Sequence, residues 1–143
     1  EVKRMTDIGH LTIPDEMKNY KKQLIVHDFL DWTLLPSLVA EMDINLAPLV
    51  DNVFNRAKSE IKWLEAALVG VTTVASDIGS FSEIITNETT GVLVADGMWY
   101  EQLKDLIDNK TKLEFLGNNA KRKVISTYKT TKHKDEFIEA IHG

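Results

Sequence analysis

Lys58, Lys62 and Glu65 stand four and three residues apart within the stretch 52–70, with Asn55 and Ser59 beside them. On a helix that spacing puts the three charged groups on one face. Ser59 is the expected N-cap, and Gly70 sits where a helix wants its C-terminal stop. Two ammonium groups near a helix start run against the helix dipole, which favours anions there. A bound anion would resolve that conflict. Free N–H groups, the positive end of the dipole and two lysines together suit a phosphate or diphosphate. A second stripe, Ala57, Ile61, Leu64 and Leu68, recurs at helical spacing and is the expected core face.

The elements that must position these groups alternate along the chain. Strands are expected at 8–13, 23–29, 43–48, 71–76 and 91–95, each apolar and bounded by proline, glycine or polar turns. The central apolar run of 23–29 implies burial on both faces, as in a parallel sheet. Helical segments fall between them: a short one at 38–42 opened by Pro36, the charged helix ending at Gly70, and one starting near Ser80. There Ser80 and Glu83 read as a capping box. Two apolar stripes follow, one on Trp99, Leu103, Leu106 and Ile107, the other on Leu113, Leu116, Ala120 and Val124. A last helix is expected over 135–141. Phe54 and Trp63 are expected to pack, and Gly79 to serve the turn after Ser76. This order predicts a doubly wound, mainly parallel α/β sheet with helices on both faces. Such sheets bind ligands outside the carboxyl ends of their strands, where the loops after Pro48 and Ser76 emerge together.

A chain of 143 residues with a 43% hydrophobic share is one domain by size and composition. The net charge of −5 argues against a nucleic-acid binder. With no cysteine, neither a disulfide framework nor a thiolate metal site is available, which fits a reducing compartment. The four histidines, His10, His27, His133 and His142, show no metal-ligand spacing and suggest no Ser/His/Asp triad. No apolar run is long enough to cross a bilayer. There is no Gly-x-Gly-x-x-Gly fingerprint and no Gly-Lys-Ser/Thr phosphate loop, which argues against dinucleotide enzymes and phosphate-loop NTPases. No cofactor or metal is expected, and the location is expected to be cytoplasmic, at most peripheral to a membrane.

The run Asn-x-Phe-Asn-x-x-Lys-Ser-x-x-Lys-Trp-x-Glu-Ala over 52–66, followed by Gly70-x-x-x-Val-Ala-Ser, resembles the nucleotide-sugar-binding domain of family 4 glycosyltransferases of the two-domain GT-B type. The resemblance spans roughly residues 8–128. It implies that Glu65 holds the nucleotide ribose, and that the chain is a fragment lacking a first strand and an acceptor-binding domain. Many members carry another glutamate eight positions earlier, close to the transferred sugar; here that position is Ala57. The resemblance further implies transfer of a sugar, with retention of configuration, from a nucleoside diphosphate sugar to a glycan or lipid-linked acceptor. The expected donor site is Asn55, Lys58, Ser59, Lys62 and Glu65, with Phe54, Gly79 and Ser80 in secondary roles. Two other readings stay open: a degenerate, non-catalytic binding or assembly module, for which Ala57 speaks, and another doubly wound enzyme such as a nucleotide-sugar epimerase.

Overall fold

The computed structural model describes residues 15–23, 25, 30–129 and 138–139. Residues up to Leu35 and residues from Pro36 onward form separate compact units. In the first, a 3-10 helix spans Asp15–Gln23 with a kink at Tyr20. The strand expected at 8–13 lies outside the described residues, as does that at 23–29 apart from Gln23 and Ile25. Of the helix expected at 135–141, residues 138–139 are described and helical.

In the second unit, three short strands form a parallel sheet among the described residues: β1 (Ile44–Ala47), β2 (Thr72–Ser76) and β3 (Val92–Val94), in that spatial order. The register pairs Leu46 with Val74 and Val74 with Val92. The helices are, in chain order, α1 (Leu35–Ala40), α2 (Val53–Arg56), α3 (Ile61–Val69), α4 (Gly79–Ile84), α5 (Trp99–Asp108) and α6 (Lys110–Thr127), with α3, α4, α5 and α6 packed on the sheet. The first helix thus starts three residues before its expected position, with Pro36 in its first turn, where a missing N–H costs nothing.

Alternation along β2 divides the core between the two faces of the sheet. Val74, with Val92 and Val94, packs against Leu106 of α5 and Leu116 of α6. Ala75 packs on the other side with Trp63 and Ala67 of α3, Phe81 of α4, and Ala120 and Val124 of α6. All five residues of β2 are buried, as a central strand with helices on both faces requires. The long helix α6 serves both cores. Its expected stripe is buried at Leu116, Ala120 and Val124, and its Leu113 is partly buried. On α5, Leu106 is fully buried, but Ile107 turns to solvent. The stripe of α5 is narrower than its sequence suggests.

The stretch 52–70 corrects the sequence expectation at three points. It forms two helices, not one: α2 ends at Arg56 and α3 begins at Ile61. Ser59 caps neither. Glu60 holds the N-cap position of α3 without a side-chain cap, whereas Asn52 caps α2 by accepting the Asn55 N–H at 2.8 Å. The buried face of α3 is Trp63, Ala66 and Ala67, while Ile61 is 55% and Leu68 52% exposed. Leu64 is only partly buried, and Ala57 lies outside the helix, exposed. The face that α3 turns to the core is therefore the one that carries Trp63. Gly70 does end α3 as expected, left-handed at φ 84°, with its N–H returning to the Ala66 and Ala67 carbonyls.

Candidate functional site

Because β1 and β2 are parallel, their carboxyl ends share one edge of the sheet. Two connections leave it. One runs from Pro48 through α2 to the start of α3; the other is the turn 77–78 into α4. They are joined to each other. The Leu49 N–H donates to Ser76 Oγ at 2.8 Å, and Ser80 Oγ donates to the Lys58 carbonyl at 2.7 Å. Ser80 is therefore not the cap of α4, whose N-cap residue is Ile78; its hydroxyl anchors the neighbouring loop instead. Gly79 adopts φ 54° and lies directly under α2: a Cβ built there would stand 2.6 Å from the Arg56 carbonyl oxygen and 2.9 Å from Arg56 Cα. Both residues hold the backbone that carries Lys58. Gly79→Ala is expected to destabilise the chain by about 2 kcal/mol, through left-handed strain and the clash with Arg56. A chemical denaturation midpoint unchanged from wild type would contradict that packing.

Within the first connection, Asp51 and Arg56 form a two-point ion pair, at 2.5 Å from Nε and 2.7 Å from Nη2. The hydrogen bond from Arg56 holds the Asp51 carboxyl below its usual range. The Arg56 guanidinium is thus engaged in closing its own loop. The Asn55 amide donates to the Val50 carbonyl at 2.8 Å, so this residue shapes the loop from within. Phe54 is 75% exposed and does not pack into the core, contrary to expectation; the Lys58 ammonium lies 5.0 Å above its ring. Trp63 does pack, fully buried, with its indole N–H donating to the Thr90 carbonyl at 2.9 Å.

At the start of α3, the structure brings Lys58, Ser59 and Lys62 together around one helix end, all exposed. The first turn contains no acidic residue. The N–H groups of Ser59, Ile61 and Lys62 donate to no described residue, as expected of a helix end without a side-chain cap. Glu65 follows Lys62 by three residues on α3 and is half-buried. Two residues outside the expected site support this end. Asn45 Nδ2, projecting from β1, donates to the Lys62 carbonyl and to Thr73 Oγ1, both at 3.0 Å. Its signal was a polar side chain in an otherwise apolar strand. Tyr128, just after α6, donates its hydroxyl to Glu60 Oε1 at 3.3 Å. Burial, followed by the neighbouring Glu60 charge, pushes the Tyr128 phenol above its usual range, which keeps it protonated and donating. Nothing local in the sequence marks that 68-residue contact.

The arrangement offers an anion a helix start with free N–H groups, lysines before and within its first turn, and a carboxylate one turn along. Among the described residues, no three His, Asp or Glu side chains converge as metal ligands, and the four histidines lie outside those residues. No helix among the described residues is long and apolar enough to cross a membrane.

Comparison with known proteins agrees with this architecture. The C-terminal domain of a glycosyl transferase group 1 family protein, LpcC from Francisella tularensis, superposes with a TM-score of 0.62 at 20% identity, over 81% of this chain and 66% of that one. Anabaena Alr3699/HepE in complex with UDP and glucose superposes with a TM-score of 0.68 at 17% identity, over 89% of this chain and 34% of that one. The same protein in complex with UDP-glucose gives 0.67 at 17% identity, over 89% and 36%. At these identities the likeness is one of fold. The chain spans about a third of the HepE chain. A search of curated proteins returned no significant match. The profile of the family described as Glycosyl transferases group 1 matches residues 7–126, so this chain, with its parallel GT-B-type α/β sheet, belongs to that family.

Proposed function

We propose that this chain is the donor-binding domain of a glycosyltransferase that moves a sugar from a nucleoside diphosphate sugar to a glycan or other acceptor. One observation carries the reading: the start of α3 presents unengaged N–H groups and two lysines, with no acid in its first turn, at the carboxyl edge of a parallel sheet. Lys58, Ser59, Lys62 and those N–H groups would seat the diphosphate. Glu65 would accept the ribose hydroxyls, and the exposed ring of Phe54 would lie beside the base. Asn55, Gly79 and Ser80 enter through the loop they shape. The HepE complexes with UDP and with UDP-glucose support a ligand of this class.

The chemistry follows from charge. As the glycosidic bond breaks, negative charge grows on the departing diphosphate. Cations and fixed N–H dipoles placed there bind the transition state more strongly than the ground state, and so accelerate the step. The acceptor and any group acting on it would come from the remainder of the protein. Ala57, exposed in the loop before α3, favours a second reading in which the domain binds without turnover.

Calorimetric titration of the protein with UDP, GDP and ADP tests the proposal. Saturable binding of one diphosphate is expected, and Glu65→Ala and Lys62→Ala should each weaken it by about 1–3 kcal/mol while far-ultraviolet circular dichroism stays unchanged. Equal affinity in wild type and both variants would remove these residues from the site. Binding without sugar transfer in the intact protein would select the second reading.

A further inference from the structure

Glu60 holds the N-cap position of α3, beside the proposed diphosphate seat. A carboxylate at that place can turn inward, drawn by the positive dipole end and by the free N–H groups. Glu60 does not. It makes no side-chain cap; its Oε1 instead accepts the Tyr128 hydroxyl, and both side chains are half-buried. Tyr128 is itself fixed, packed against the core of Trp63, Phe81 and Val124, with its N–H bonded to the Val124 carbonyl at 2.8 Å. The tether thus runs from the end of α6 to the N-cap position of α3, and its effect is electrostatic. A carboxylate folded over the helix start would occupy the N–H groups that a diphosphate needs, and would repel the ligand's charge at short range.

Resting on the donor-binding reading above, we propose that Tyr128 is a positioning residue that keeps the Glu60 carboxylate off the diphosphate seat. Removing only the phenolic oxygen releases Glu60 to cap α3 and compete with the ligand. The penalty should scale with ligand charge, which a general loosening of the fold would not produce. It should also vanish when Glu60 loses its charge.

The test is titration of the intact protein with UDP, UMP and uridine, or with the guanosine or adenosine series if wild type binds one of those. Tyr128→Phe is expected to weaken the diphosphate about fivefold, the monophosphate about twofold and the nucleoside not at all. Adding Glu60→Gln to Tyr128→Phe should restore wild-type affinity for the diphosphate. Uniform weakening across the three ligands, or weakening that Glu60→Gln does not rescue, would overturn the inference and reduce Tyr128 to a packing residue. Unaltered affinity in Tyr128→Phe would overturn it as well, leaving the donor-binding reading intact. Absence of any nucleotide binding by the wild-type protein would instead remove that reading, and this inference with it.

Discussion

Trp63→Ala should cost about 4 kcal/mol of folding stability, the largest loss expected from any single substitution considered. The indole is fully buried in the core on the α3 side of the sheet, where the other members of α3 and the strands are mainly alanines: Ala47, Ala67 and Ala75. Small neighbours cannot collapse into the space that a removed indole leaves, so the cavity cost lies in the upper part of the 3–5 kcal/mol range seen for large aromatic truncations. The Thr90 carbonyl loses its donor as well, at about 1 kcal/mol or more if no water replaces it. The Lys123 ammonium, 5.9 Å from the ring centre, adds a smaller attraction, and its other partner, the Ile84 carbonyl at 2.5 Å, keeps it in place. Total stabilities of single domains are roughly 5–15 kcal/mol, so the variant should be near its folding threshold. Urea denaturation followed by circular dichroism measures this directly. Trp63→Phe separates the two contributions: it keeps most of the volume, loses the N–H, and should fall about 1–2 kcal/mol below wild type. A loss under 1 kcal/mol for Trp63→Ala would mean that the indole is not the keystone of this core.

Gly117→Ala is expected to destabilise by about 3 kcal/mol, against the usual sign of such a change. In a helix interior, replacing glycine by alanine normally gains about 0.5–1 kcal/mol from the lower entropy of the unfolded chain. Gly117 lies in the middle of α6, so propensity alone recommends the substitution. Packing forbids it. A Cβ at this position would lie 2.0 Å from the Gly70 carbonyl oxygen and 2.9 Å from its carbon, both backbone atoms of the turn that ends α3. The methyl needs more than 1 Å of separation between α3 and α6, which would strip contacts from Ala120 and Val124 further along the same helix. Overpacking costs of 1–3 kcal/mol apply where flexible side chains can yield; backbone cannot, so the upper end is expected. Gly70→Ala is the control. Its Cβ would meet only Lys121 Cδ at 3.8 Å, leaving the left-handed conformation as the cost, about 1 kcal/mol. Thermal unfolding of the two variants should order them Gly70→Ala above Gly117→Ala. The reverse order would show that α6 and α3 are not in close contact at this crossing.

Much of this protein is written locally. Strands β1, β2 and β3 fall within a residue or two of their expected bounds because β-branched and apolar runs ended by Pro48, Asp77 and Asp96 admit little else. The parallel α/β class follows from their alternation with amphipathic helices, and the run between Asn52 and Ser76 resembles the family whose profile matches residues 7–126. The stop of α3 at Gly70 is equally local, since one left-handed residue ends the helix wherever it falls.

Other features are decided only by distant parts of the chain coming together. Periodicity assigned Ile61 and Leu68 to the core, because apolar residues at helical spacing look alike whether or not another element covers them. The sheet and α6 instead cover the face of Trp63. Ser59 and Ser80 both had the chemistry of a cap. Which serine finds a better partner depends on what lies opposite, and the Lys58 carbonyl, 22 residues away, claims Ser80. The same holds for Gly117, whose need for a missing side chain exists only because α3 ends against it. The Tyr128–Glu60 bond spans 68 residues and leaves no local trace. Residue types and spacing therefore determine the elements, the class and the family of this chain. Which face each element buries, and which polar groups are left free at the carboxyl edge of the sheet, is settled by tertiary packing, because burial and hydrogen-bond partnership belong to pairs of segments and not to either one alone.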